Sequence, residues 1–309
     1  MPKKKELNVA DFIAPLEMNG LQGRMLRMPP PKKYNREILF VYGHHSTLER
    51  WWGVVQDLNQ YGGVTVPDIP GFGGMESLYK IGEKPDIDTL ADYLAAFIKL
   101  RYKRRRITVA GLSFGFVVVT RMLQRYPEIA KRVDMLVSVV GFAHYQDFTF
   151  GKPRMFFYRL GTKFFSYRLS ALFFRGAFLN PWVLRTVYGK TRNARDKFKS
   201  VRRDNHREIM DFEVHLWHVN DVRTHWFTSS EFLKLDNCQW RVDLPVHHVS
   251  VKADRYFDNH IVEQHMRVIF SDFKEYRSRM DSHAPSVIAD MKTAAPLFPK
   301  KLRNALSKG

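Results

Sequence analysis

A serine stands at the centre of Gly111-Leu112-Ser113-Phe114-Gly115, between the apolar run Ile107-Thr108-Val109-Ala110 and the segment that starts at Phe116-Val117-Val118-Val119. A G-x-S-x-G placed after a strand and before a helix forces a sharp turn. Glycine is needed on either side because a Cβ there would strike neighbouring backbone, and the serine hydroxyl is presented outward. Ser113 is therefore the candidate nucleophile, and its chemistry would be attack on an electrophilic carbon. A hydroxyl is a weak nucleophile near neutral pH, so such a serine needs a base whose pKa lies close to neutrality. Other chemistries find less support. His215 and His218, with His225 nearby, have no carboxylate or cysteine spacing that completes a metal site. Gly189-Lys190-Thr191 echoes the end of a phosphate loop, but Leu184 stands where its first glycine belongs, and Glu76 breaks a G-x-G-x-x-G that would start at Gly71. No cofactor and no metal are expected.

The elements that must position the serine alternate. Residues 37–43 read as a buried strand ending in a glycine turn, 51–61 as a helix and 64–68 as a short strand running into the breaker-rich Ile69-Pro70-Gly71-Phe72-Gly73-Gly74. Residues 89–102 carry apolar side chains at helical spacing, and 135–141 form another apolar run. Strands alternating with helices imply an α/β protein whose mostly parallel central sheet is covered by helices on both faces. Past Phe142 the alternation stops for roughly ninety residues. There, Phe157, Leu160, Phe164, Tyr167, Ala171 and Phe174 draw one apolar stripe down a predicted helix, and a second helix is expected over 207–222. The sheet pattern returns at 245–251, followed by a helix over 261–270 and a last strand near 273–280. The expected organisation is an N-terminal lead segment (1–35), a core (36–145 and 236–290), an inserted helical cap (146–235) and a basic, frayed or surface-bound tail (291–309).

The 309-residue chain, 45% hydrophobic with 24 phenylalanines, can bury a sizeable core. A single cysteine, Cys238, excludes an intrachain disulfide and points to a reducing compartment. Met1 to Glu6 is charged with no apolar run behind it, so a cytoplasmic protein is expected. The formal charge of +19 is unevenly placed: residues 151–203 hold fourteen cations against one acid, Asp196. Such a field attracts polyanions, anionic lipid surfaces or acidic substrates, or else is simply a solvated face.

At this point the chain resembles the α/β-hydrolase fold family over residues 36–290 apart from the cap. Val41-Tyr42-Gly43-His44 looks like the family's strand-end glycine turn, Asp68-Ile69-Pro70-Gly71-Phe72-Gly73 like its D-x-P-G-x-G loop, and residues 111–115 like its nucleophile elbow. Val251-Lys252-Ala253-Asp254 and Ser282-His283-Ala284-Pro285 sit where its acid turn and histidine loop would lie, in the family's order Ser, Asp, His. The resemblance implies a triad of Ser113, His283 as base and Asp254 as acid, with Asp258 and Asp147 as rival acids. It also implies an oxyanion hole from the backbone N–H groups of His44 and Phe114, and a pocket lined by Gly43, His45 and Phe72. Val251 departs from the glycine usual before the acid turn.

The implied reaction is hydrolysis through an acyl-enzyme, with a carboxylic or lipid-like acyl ester as the small-molecule substrate. Carbon–carbon bond hydrolysis and acyl transfer use the same residues and remain open, as does a non-catalytic protein that binds a polyanion through its basic cap. The cap stripe, flanked by Lys and Arg, either packs on the core or lies at an anionic membrane, which would place the protein peripherally at its inner face. Nucleic acid is the less expected partner, and the oligomeric state is left open.

Overall fold

The computed structural model describes residues 7–184, 186, 206–252, 254–280, 283 and 291–308. Its strands are β1 (Ile13–Met18), β2 (Leu21–Met28), β3 (Glu37–Val41), β4 (Gly63–Pro67), β5 (Ile107–Leu112), β6 (Val133–Val139), β7 (Val242–Ser250) and β8 (Phe270–Arg277). They form one sheet in the order β1-β2-β4-β3-β5-β6-β7-β8, antiparallel where β2 meets β1 and β4, and parallel from β4 to β8. The central strands β3, β4 and β5 are buried at every position but Glu37 and are apolar apart from that residue, Thr65 and Thr108, because both faces are covered. Helices α1 (Trp52–Asn59), α2 (Ile87–Tyr102), α3 (Phe114–Arg125) and α8 (Asn259–Ile269) provide that cover.

The chain order reverses where β3 lies between β4 and β5. There, Val41 pairs with Gly111, so the loops that leave the carboxyl ends of β3 and β5 start side by side. Such a switch point opens a crevice at the strand ends. It brings Gly43-His44 against Ser113.

The structure corrects several expectations. The lead segment is part of the sheet, because residues 13–28 form a hairpin. Asn19 and Gly20 both take positive φ (54° and 76°) at its two-residue turn, the geometry that matches strand twist. Of the two expectations for the tail, frayed or surface-bound, the described residues follow the second: α9 (Lys300–Lys308) buries Leu302 and Leu306, and Arg303 makes two 2.7 Å bonds to the buried carboxylate of Asp57. The last strand starts at Phe270 rather than 273.

In the cap region, between β6 and β7, the single stripe-bearing helix is two. Helices α4 (Lys152–Phe165) and α5 (Arg168–Phe178) break at Ser166, whose hydroxyl turns back to the Lys163 carbonyl. The stripe divides accordingly. Ala171 is buried and Phe174 packs inward, while Phe157, Leu160, Phe164 and Tyr167 face solvent. The helix expected over 207–222 ends at Val219, as α6 (His206–Val219), and a further helix, α7 (Val222–Phe232), follows it.

Candidate active site

Ser113 leaves β5 at φ 49° and ψ −118°, a conformation that L-residues adopt only under constraint, and its N–H is held by the Val139 carbonyl at 2.9 Å. The flanking glycines make this turn possible. A Cβ on Gly111 would lie 2.6 Å from Phe116 Cα, and one on Gly115 would sit inside the carbonyl oxygens of Val41 and Tyr42. A Cβ on Gly43 would come within 2.9 Å of Leu112 and 3.4 Å of Ser113 Cβ, so the β3 turn also approaches the serine only because it is bare.

His283 Nε2 lies 3.1 Å from Ser113 Oγ, and His283 Nδ1 lies 2.6 Å from Asp254 Oδ2. The structure thus brings the three sequence-predicted residues into one chain of hydrogen bonds. Asp254 Oδ1 also accepts the N–H of Tyr256 at 2.8 Å and of Phe257 at 3.2 Å. Burial pushes the Asp254 carboxyl up, but the His283 bond and charge and the two amides outweigh it, and the group sits below the usual carboxylate range. The rings of Tyr256 and Phe257 stand edge-on to His283, each 5.1 Å away. A valine at 251 is accommodated, its carbonyl accepting Asn259 Nδ2 at 2.8 Å. Ala253, Ser282, Ala284 and Pro285 lie outside the described residues.

The rival acids have other partners. Asp258 caps α8, accepting the N–H of His260 and Ile261. Asp147 is fully buried and accepts the N–H of Ala143 and His144 through one oxygen, and meets His265 Nδ1 at 2.5 Å with the other.

Phe114 is the first residue of α3, so its N–H belongs to the helix-start amides that lack an intrahelical acceptor. The His44 ring is enclosed. It meets Thr228 Oγ1 at 2.8 Å through Nε2 and packs against Phe72, Phe114, His225 and Phe232. Phe72 is fully buried as the back of that ring. The His45 ring lies 4.3 Å from Trp217 and 4.7 Å from His225. Burial lowers the His44 pKa to about 3 and also pushes His225 well down, helped there by His44 and His45, so both rings stay neutral.

The residues that sequence reasoning missed come from α6 and α7: Trp217, His225, Thr228 and Phe232. In the sequence His225 stands out only by its proximity to His215 and His218. His215 and His218 point into solvent, and among the described residues no group of three His, Cys, Asp or Glu is arranged to hold a metal ion. The Gly189-Lys190-Thr191 echo falls outside the described residues. The D-x-P-G-x-G loop anchors the start of α7. Asn220 Oδ1 accepts the Gly73 N–H at 2.8 Å, the Asp221 N–H bonds the Gly71 carbonyl at 2.8 Å, and a Cβ on Gly71 would strike Thr224. The helices between β6 and β7 are therefore joined to the Gly71–Gly73 loop.

The sheet order, with helices on both faces of a mostly parallel sheet, is that of the α/β-hydrolase fold. The solved structures similar to this chain include an esterase from Thermogutta terrifontis, with a TM-score of 0.60 at 14% identity over 95% of each chain. A hydrolase from Oleispira antarctica gives 0.66 at 11% identity, over 92% of this chain and 94% of that one. A variant of an epoxide hydrolase from Bacillus megaterium gives 0.65 at 13% identity, over 95% and 98%. No protein-family model and no curated protein sequence matches the chain. Among the described residues, no helix is long and apolar enough to cross a membrane.

Proposed function

We propose that this protein is a serine hydrolase that cleaves carboxylic esters through an acyl-enzyme. The observation that carries the reading is the unbroken relay from Ser113 Oγ through His283 to Asp254, at 3.1 Å and 2.6 Å. His283 Nε2 takes the Ser113 proton as Oγ bonds to the ester carbon, and Asp254 stabilises the imidazolium that forms. The carbonyl oxygen gains negative charge and is met by the N–H groups of Phe114 and His44, each contributing about 3 kcal/mol in such sites. Collapse breaks the bond to the leaving alkoxide, which takes the proton from His283 and departs as an alcohol. Water, deprotonated by His283, then attacks the acyl carbon and restores Ser113.

An apolar acyl group suits the pocket better than a charged one, because His44 and His225 are held neutral among Phe114, Phe232 and Trp217. The neighbours' described activities, ester hydrolysis among them, accord with this reading. A fluorophosphonate probe should label wild-type protein and leave Ser113→Ala unlabelled. A series of p-nitrophenyl esters should then show turnover that depends on acyl length. An unreactive wild-type serine would leave the fold in place and remove the activity.

A further inference from the structure

We propose that the outward face of α4 and α5 is a docking surface for an anionic lipid interface, a property independent of the chemistry at Ser113. Both helices are already packed on their inner side. Thr162 and Ala171 are buried, and Phe165 and Phe174 meet each other and Trp226 of α7. Their outer side is apolar as well. On α4, Phe157, Leu160 and Phe164 recur at steps of three and four, and Phe157 is 67% exposed. On α5, Leu169 shares one face with Leu172 and Phe173, three and four residues on, with Leu169 81% exposed and Phe173 63%. The core makes no use of these side chains, and a contiguous exposed patch of this kind marks an interaction site.

The charges choose the occupant. Residues 152–178 contain six cations and no acid. Lys152 and Lys163, three turns apart, lie along one edge of the α4 apolar band, and Arg168 and Arg175, seven apart, border that of α5; all four are exposed, whereas Arg159 turns inward to the Leu233 carbonyl and the Tyr145 ring. Long basic side chains beside an apolar band can reach headgroup phosphates while the rings and leucines enter the acyl boundary. Zwitterionic lipid would take the rings and leave the cations unanswered. A nucleic acid would answer the cations and leave Leu160, Leu169 and Leu172 in water. Only an anionic lipid surface satisfies both. The two helices would lie on it, with the exposed aromatic rings of Tyr167 and Trp182 suited to the headgroup level. Their inner side leads through Phe174 to Trp217, and Trp217 packs at a tilt against His45, so the docked cap would lie between the lipid and the serine.

The test is co-sedimentation of the full chain with vesicles of phosphatidylcholine containing about a third phosphatidylglycerol, against pure phosphatidylcholine vesicles, at low and high salt. Anionic vesicles should bind the protein at least tenfold more tightly, and salt should weaken the attachment. Lys163→Gln/Arg168→Gln/Arg175→Gln should cost roughly a hundredfold in vesicle affinity and flatten the salt dependence. Leu160→Ser/Leu172→Ser/Phe173→Ser should abolish attachment even at low salt. Because all six positions are exposed, unchanged thermal unfolding shows that both variants remain folded. Failure to bind anionic vesicles, equal binding to both vesicle types, or attachment that survives the apolar substitutions would each overturn the proposal. So would a lipid-free dimer, seen by light scattering, that the apolar substitutions dissolve.

Discussion

Glycine at position 113 should make the protein more stable than alanine does, the reverse of the usual order. At φ 49° and ψ −118° the Ser113 backbone occupies a region that costs a residue with a Cβ about 1–3 kcal/mol and costs glycine little. Against this, glycine frees the unfolded chain and loses about 0.5–1 kcal/mol relative to alanine. The net expectation is a Ser113→Gly variant about 1 kcal/mol more stable than Ser113→Ala. The comparison is made between the two variants because both lack the hydroxyl and its 3.1 Å bond to His283, leaving the backbone as the difference. For a 309-residue chain the unfolding entropy near the midpoint makes 1 kcal/mol worth about 1.5 °C, so urea titration resolves the pair better than melting alone. Neither variant should react with a fluorophosphonate. If Ser113→Ala proved the more stable by about 1 kcal/mol, the backbone at 113 would hold no strain, and the reasoning from its positive φ would be refuted.

Asp254→Asn should lower kcat by on the order of a thousandfold or more, because it disturbs the tautomer and charge of His283, whereas Asp258→Asn should leave kcat intact, since asparagine caps a helix as well as aspartate. The reverse order in steady-state kinetics would move the acid. His248 is buried, bonded to Ser138 Oγ at 2.9 Å, and lowered by burial to about 4. The unfolded chain therefore binds a proton below about pH 6.5 that the folded one refuses, and stability present above that pH is lost toward pH 4, by about 2 kcal/mol at pH 5. Urea unfolding at pH 7 and pH 5 should show a drop smaller by that amount in His248→Asn, and an equal drop would refute the assignment. Arg303→Ala strands the buried Asp57 carboxylate and should cost about 3 kcal/mol, part of it regained by adding Asp57→Asn. Destabilisation below about 0.5 kcal/mol would mean that α9 is held by Leu302 and Leu306 alone.

The parts of the fold that were legible are those in which local pattern and tertiary setting agree. Strands β3 and β5 are apolar but for Glu37 and Thr108 because they are covered on both faces. The β1–β2 hairpin escaped because Pro15, Glu17, Arg24 and Arg27 make its strands look polar, as edge and near-edge strands can be. Asn19-Gly20 was the available signal. Helix α7 hides for a different reason: its buried positions include Thr224, whose hydroxyl meets that of Ser77, and Thr228 and Ser229, whose hydroxyls donate to carbonyls of the preceding turn, so no apolar period appears. In α9 only Leu302 and Leu306 are buried, and what fixes the helix is an ion pair to a residue 246 positions earlier.

At the site, the residues that a motif can name are those whose backbone is constrained. Glycines at 43, 111 and 115 are dictated by atoms within van der Waals reach, so a serine between two of them announces itself. The acid could not be chosen that way. Asp147, Asp254 and Asp258 all accept backbone N–H groups in turns, and only the position of His283, 29 residues beyond Asp254, decides which one shares a proton with it. The pocket wall is less legible still, because Trp217, His225 and Thr228 reach His44 and His45 from helices whose placement depends on Asn220 and Asp221 binding the Gly71–Gly73 loop. Catalysis in this chain would then be set by local strain at the elbow, and selectivity by long-range contacts from the cap. Substitutions at Thr228 or Trp217 should accordingly change which ester is turned over without changing whether Ser113 reacts.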